Sequence, residues 1–265
     1  MLGLKEIREL QKNGKARRQQ GLFVAEGLKL FEEAPAEQIV EVCVSQSFER
    51  EHSGVITRKV REIESVGGTA PDGPAEIITI SDSRMEKLSD TKTPQGILTV
   101  VREKSWAVDR ILDGPNPFLL LLENVQDPGN VGTILRTAEA AGVDGVFLTA
   151  GCADILSPKV IRSTMGSIYR VPHAVIADPE DLLIEFPERD IISYAAYLDT
   201  EVSYLGGDYT GGTCFFIGNE SRGLSDSLLN KSDRLIHIPM KGQVESLNAA
   251  MAAGILMFEA ARQRR

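Results

Sequence analysis

The stretch PFLLLLENVQDPGNVGTILRTAEAAG, residues 117–142, decides how the rest of the chain is read. Its opening run, PFLLLL, is short, apolar and preceded by Gly114 and Pro115. Such a run predicts a strand buried on both faces, over 118–123. A glycine-bearing turn and a helical period follow, the usual surroundings of a bound phosphate or nucleotide. The dinucleotide fingerprint, however, needs G-x-G-x-x-G and an acid about 20 residues on. Only Gly129 and Gly132 are present, which argues against a nucleotide-dependent oxidoreductase. Asn130 stands where an N-cap is expected, ahead of a helix over 131–142. On a helical wheel Val131, Ile134, Leu135, Ala138 and Ala141 form a buried face, with Gly132, Thr133, Arg136 and Ala140 opposite. Helical side chains lean toward the N-terminus, so Arg136 is expected to lean over Gly132 toward the loop. A cation, a capping amide and free backbone N–H groups would then face one spot, which makes an anion site.

Working outward, strands are expected at 145–149, 172–176, 191–195, 214–218 and 234–238, and helices at 157–166, 179–186 and 246–263. This alternation predicts an α/β domain with a mostly parallel sheet flanked by helices. Ligands of such sheets sit beyond the carboxyl ends of the strands. Three loops there are chemically unusual: 124–130, 218–224 and 239–247. In the second, Gly218 is read as letting a ligand approach the backbone, and Glu220 as a carboxylate poised at a strand end. A short helix is expected from near Ser225. In the third, Ser246 is expected to cap the final helix, with Asn248 in its first turn. Leu247, Met251, Ile255 and Phe258 form one stripe of that helix, and Ala249, Ala252 and Ala253 a small-residue face suited to a core or subunit interface.

The polar segment 102–117 reads as a linker. It separates a domain over 1–104 from one over 116–265. The first alternates patterns of its own: a helix over 3–19, strands at 21–27, 39–45, 76–81 and 96–101, helices at 28–34 and 81–90, and a loop at 66–74. It reads as a small α/β sandwich without a catalytic constellation.

The chain has 265 residues and a net charge of −9. Its basic residues are unevenly placed. Residues 1–20 hold six Lys or Arg against two Glu, so Lys12, Lys15, Arg17 and Arg18 are candidate RNA contacts on an otherwise acidic body. No apolar run suggests a membrane span, and the charged start lacks the pattern of a signal peptide. Cys43, Cys152 and Cys214 are odd in number and far apart, which argues for a reducing cytoplasm. His52, His173 and His237 lack metal-ligand spacing, so no metal is expected. Neither G-x-S-x-G nor a P-loop is present.

Taken together, LENVQDPGNVGTILRTAEAAG, FFIGNESRGLSDSLL and IHIPMKGQVESLNAAMAAGILMFEA resemble the three ordered motifs of the SpoU/TrmH branch of the SPOUT RNA methyltransferases. RRQQGLFVAEGLKLFEEA and TKTPQGILTVV resemble the L30e-like RNA-binding domain that precedes the catalytic domain in many members. The resemblance implies a trefoil knot, S-adenosylmethionine as cofactor, a homodimer, and methyl transfer to a ribose 2′-hydroxyl of RNA. Ribosomal RNA is favoured by analogy over transfer RNA; a non-catalytic RNA-binding protein is the rival reading. Residue by residue, Asn130, Arg136, Glu220, Ser246 and Asn248 match the family's catalytic positions. Gly218, Ile238 and Leu247 match positions whose backbone contacts the cofactor.

Overall fold

A computed structural model describes residues 2–66, 75–244 and 246–265. The loop expected at 66–74 lies, from residue 67 on, outside the described residues. The chain divides into two compact units, one of Met1–Lys104 with Asp154–Tyr169, the other of Ser105–Ala153 with Arg170–Arg265.

In chain order the first unit contains α1 (Leu4–Lys12), α2 (Gly14–Gln20), β1 (Leu22–Glu26), α3 (Leu28–Glu33), β2 (Ile39–Ser45), α4 (Gln46–Glu51), α5 (Ser53–Ser65), β3 (Glu76–Ile80), α6 (Asp82–Leu88) and β4 (Ile97–Arg102). Its four strands are ordered β1-β4-β2-β3, with β2 and β3 parallel and the other pairs antiparallel. Ile7, Leu10, Val24, Leu88, Leu98 and Val100 meet in its core.

The single helix expected over 3–19 is two. Asn13 sits between them in an extended conformation, and its side-chain oxygen accepts from the N–H groups of Lys15 (2.9 Å) and Ala16 (3.4 Å). An amide that can bond the backbone locally favours a cap over a helix interior, so the chain breaks and restarts there. Helices α4 and α5 had no counterpart in the sequence reading. Ser45 starts α4 by accepting from Phe48 N–H at 3.2 Å.

The second unit contains α7 (Val108–Leu112), which falls inside the expected linker, then β5 (Phe118–Leu122), α8 (Pro128–Ala141) and β6 (Gly145–Thr149). Helix α9 (Pro158–Thr164) belongs to the first unit. The second unit resumes with β7 (His173–Ile176), α10 (Pro179–Ile184), β8 (Ile191–Ala196), β9 (Gly212–Ile217), α11 (Asp226–Lys231), β10 (Arg234–Ile236) and α12 (Ala249–Gln263). Its six strands are all parallel, in the order β10-β8-β9-β5-β6-β7. Every residue of β5 is buried, as a strand covered on both faces requires. From β5 the chain moves to β6 and β7 on one side, while β9, β8 and β10 fill the other. The order therefore reverses at β5, and the loops after β5 and β9 leave adjacent strands at that reversal, where open α/β sheets bind ligands. No described helix is long and apolar enough to cross a membrane.

Candidate active site

Helix α8 begins three residues earlier than its apolar period suggests. Asp127 is the N-cap, Pro128 fills the first turn, and the Asp127 carboxylate accepts from Asn130 N–H at 2.9 Å. Asn130 is therefore inside the first turn and is not the cap. The reason is local: a proline's fixed φ and missing N–H suit the helix start, and the preceding Asp supplies the acceptor. The change frees the Asn130 side chain. Its Nδ2 donates to Glu220 Oε1 at 2.6 Å, and its Oδ1 accepts from Asn248 Nδ2 at 2.9 Å.

Asn248, not Ser246, caps α12. Its Oδ1 accepts from Ala250 N–H (3.0 Å) and Met251 N–H (3.3 Å). Asn248 directly precedes Ala249, the first helical residue, whereas Ser246 is exposed and outside the helix. These bonds orient both amides. The Asn248 oxygen faces helix N–H groups, so its NH2 must donate to Asn130; the Asn130 oxygen accepts, so its NH2 must face the Glu220 carboxylate. Three candidates 90 and 118 residues apart in the chain thus form one hydrogen-bonded row.

Arg136 is exposed on α8, on the same face as Thr133 and Ala140. Among the described residues it makes no hydrogen bond or ion pair, while Val131, Ile134, Leu135 and Ala138 are buried beneath it. Gly132, expected on the exposed face, is buried as well. Arg136 therefore does not owe its freedom to a gap at Gly132. A glycine turned inward serves packing, and among the described residues no acidic side chain pairs with the arginine.

Gly218, Ile238 and Leu247 come together in the lining of a cavity of about 340 Å³. Glu220 and Ser246 lie on its polar side, and Arg136 is not part of its wall. Gly218 also meets a steric demand within its own loop. A Cβ there would fall 2.3 Å from the carbonyl carbon of Gly223, because the loop folds back on itself through paired hydrogen bonds between Asn219 and Gly223. Gly223 supports this return with φ +67°. The cavity suits a sulfonium nucleoside. Ile217, Ile236, Ile238 and Leu247 offer apolar wall, Ala249 and Ala252 add small side chains, and the carboxylates of Asp199 and Glu220 share the polar lining with Arg222.

Other candidates fall outside this constellation. Cys152 Sγ donates to the Leu122 carbonyl at 3.2 Å, and burial pushes its thiol up, so it is no nucleophile at neutral pH. Among the described residues no group of three or more His, Cys, Asp or Glu could hold a metal ion. In the first unit Lys12, Lys15 and Arg18 are exposed. Arg17 is not. It is 4% exposed, donates to Asp154 Oδ2 from Nε (3.1 Å) and Nη2 (2.6 Å), and donates from Nη1 to the carbonyls of Leu10 and Gln11. Its cation is neutralised internally, so Arg17 leaves the set of candidate RNA contacts.

A family model described as the SpoU rRNA methylase family matches residues 117–258. The chain belongs to the SpoU rRNA methylase family. A second model, the MRM3-like substrate binding domain, matches residues 3–99 of this SpoU chain. An uncharacterized tRNA/rRNA methyltransferase of Synechocystis is 32% identical over 98% of this chain and 91% of its own length. The 23S rRNA guanosine-2′-O-methyltransferase RlmP of Bacillus subtilis is 35% identical over 68% of this chain and 70% of its own. Among solved structures, the SpoU methyltransferase AviRb of Streptomyces viridochromogenes in complex with AdoMet superposes with a TM-score of 0.86. It shares 26% identity, over 98% of this chain and 97% of that one. The family expected from the three motifs, and the C-terminal parallel sheet flanked by helices, are those found. The order of the three loops was legible in the sequence, but Glu123, Asn124 and Asn219, which hold two of them together, were not singled out. The one available signal was an Asn directly after a strand and followed by a Gly-containing turn, the setting of an Asx turn.

Proposed function

We propose that this SpoU-family chain methylates a ribose 2′-hydroxyl of large-subunit ribosomal RNA, with the loops after β5, β9 and β10 as its active site. The observation that carries this reading is the Glu220–Asn130–Asn248 row. It ties the rim of an apolar cavity to the helix that presents Arg136, an arginine with no partner among the described residues. S-adenosylmethionine is the cofactor; held by the backbone around Gly218, Ile238 and Leu247, it supplies an electrophilic methyl group on a sulfonium.

A 2′-hydroxyl is a poor nucleophile until its proton is drawn away, and in-line displacement makes positioning a large part of the rate. Arginine is effectively always protonated, so Arg136 is unsuited to be the base. Its guanidinium instead grips an RNA phosphate and stabilises charge developing on the ribose oxygen, while that phosphate or a water takes the proton. Asn130 is held by Glu220 and Asn248 rather than by Arg136, so its role is to keep the loops in register. Ser246 and Glu220 order the polar side of the pocket.

The named relatives that act on 23S rRNA support ribosomal RNA over transfer RNA as substrate. Lys12, Lys15 and Arg18 give residues 1–104 a basic edge for that RNA, and residues 116–265 form the catalytic domain. Kinship further implies the trefoil knot and a homodimer; exposed Met251 (62%) and Phe258 (48%) on α12 suit such an interface. A cytoplasmic location fits an enzyme of ribosomal RNA.

The test is methyl transfer from labelled S-adenosylmethionine into unmodified ribosomal and transfer RNA in parallel, followed by digestion to nucleosides. A 2′-O-methyl nucleoside from ribosomal RNA, absent with Arg136→Ala, is the expected result. Labelling of transfer RNA alone would reassign the substrate, and failure to bind S-adenosylmethionine would leave an RNA-binding protein.

A further inference from the structure

We infer that Asn219 is a positioning residue, the staple that holds the Glu220 loop in register with the loop leading to Arg136. The inference rests on the methyltransferase reading above and concerns a residue that touches neither reacting atom.

The geometry is a single amide used on both sides. Asn219 Oδ1 accepts from Ser221 N–H at 2.9 Å and from Arg222 N–H at 3.1 Å, closing an Asx turn around Glu220. Its Nδ2 donates to the carbonyl of Asn124 at 2.9 Å. That carbonyl lies in the first loop, in a residue held left-handed at φ +54°. Asn124 is itself pinned: its N–H donates to Thr149 Oγ1 at 3.1 Å. Its side chain lies against Gly151, where an added Cβ would stand 1.7 Å from Asn124 Oδ1. The staple is therefore anchored in a rigid wall. At the far end of the same loop, the buried Glu123 carboxylate accepts from Ser225 N–H at 2.7 Å. The loop bearing Glu220 is thus fastened to the first loop on each side of the catalytic carboxylate, and Glu220 meets Asn130 between those points.

A loop fixed at only one point can swing, and a displacement near 1 Å can cost about a hundredfold in rate. The Asx turn alone shapes the loop but does not locate it. The bond to Asn124 locates it. Aspartate separates the two functions: it keeps the acceptor oxygens and the size but has no N–H, and it sets a negative charge against a carbonyl oxygen. Serine is the uncharged control, able to cap the turn but too short to reach Asn124.

The experiment compares wild type, Asn219→Asp, Asn219→Ser, Glu220→Ala and the double variant Asn219→Asp/Glu220→Ala in the full chain. Expected for both Asn219 variants is a kcat lowered about tenfold or more, with the Kd for S-adenosylmethionine by calorimetry and the KM for RNA each within about threefold of wild type. In the Glu220→Ala background, Asn219→Asp should add little, because the residue it places is gone. Hydrogen exchange supplies a readout independent of activity: peptides covering 218–225 exchange faster in Asn219→Asp and Glu220→Ala than in wild type. Wild-type kcat in Asn219→Asp, full multiplication of the two effects, or unchanged exchange overturns the proposal. So does a large rise in cofactor Kd with kcat retained, which would make Asn219 a ligand contact. If wild type itself transfers no methyl group, the methyltransferase reading fails, and hydrogen exchange still decides whether Asn219 holds the loop.

Discussion

Helix α2 and helix α8 each offer an arginine that sequence reasoning turned toward RNA, and the two have opposite fates. Arg17 on α2 is buried, and its guanidinium is surrounded by Asp154 and two backbone carbonyls. Arg136 on α8 is exposed and has no partner among the described residues. The difference lies in what the fold brings opposite them. Asp154, 137 residues away in the chain, meets Arg17 within the first unit, whereas no acid among the described residues pairs with Arg136. A cation available to a ligand is one the protein has left without an acid, and that is a property of the tertiary structure.

The sharpest way to break this comparison is to remove each arginine and ask whether function or stability fails. Arg136→Ala should lower kcat by about a thousandfold, roughly 4 kcal/mol of transition-state stabilisation, by analogy with loss of a donor to developing negative charge. Its melting temperature should stay at the wild-type value, because no internal contact is lost. Methyl-transfer kinetics and calorimetry together check this. Near-wild-type activity in Arg136→Lys would contradict a bidentate grip on phosphate. Arg17→Ala should do the reverse. Stranding Asp154 is expected to cost about 3 kcal/mol, at the low end for a broken buried pair because the Asp154 side chain remains 24% exposed. Denaturant unfolding would show it, with the salt dependence of RNA binding unchanged.

A smaller effect sharpens the boundary of the RNA surface. Replacing Lys12, Lys15 and Arg18 together by Ala should flatten the log–log salt dependence of RNA binding by about two, leaving kcat at saturating RNA intact. A slope equal to wild type would remove the basic edge from the RNA footprint.

The smallest effect contrasts Arg17 with a buried base that has no acid. His173 on β7 is buried, its Nδ1 lies 2.8 Å from the Val171 carbonyl, and its Nε2 has no partner among the described residues. The proton must therefore sit on Nδ1 and the ring is neutral. Burial, the larger influence, lowers its pKa below the ordinary 6.5 despite the bond to Val171. A base with a depressed folded pKa contributes full stability above its ordinary pKa, and that contribution declines as pH falls below it. Stability should therefore decrease as pH falls below about 6.5, and His173→Gln should lack that component. Parallel pH profiles for the two proteins between pH 7 and 5 would contradict this.

Much of the fold was legible because it depends on local pattern. The run FLLLL gave the central buried strand, and the alternation of strands and helices gave the parallel sheet. The three polar loops at strand ends gave the region of the site. What the pattern misplaced were residues whose role is decided by a neighbour. Asn130 looked like a cap until Asp127 and Pro128 took that task, and Ser246 looked like a cap until Asn248 did. The wheel put Gly132 opposite the apolar stripe, but packing around α8 buries it. Gly218 lines the cavity as expected, but it also meets a steric demand, from Gly223 of its own loop, that the pattern does not record.

The sequence by itself determined the parallel α/β sheet of the second unit, the family, and which three strand-end loops hold the family's ordered motifs. Those follow from periodicity and from motifs a few residues long. Only the tertiary structure decided the hydrogen-bonded row Glu220–Asn130–Asn248, the Asn219 staple, and the opposite fates of Arg17 and Arg136. Hydrogen bonds and ion pairs act over about 3 Å, and their partners here lie roughly a hundred residues apart along the chain, where no local pattern records them.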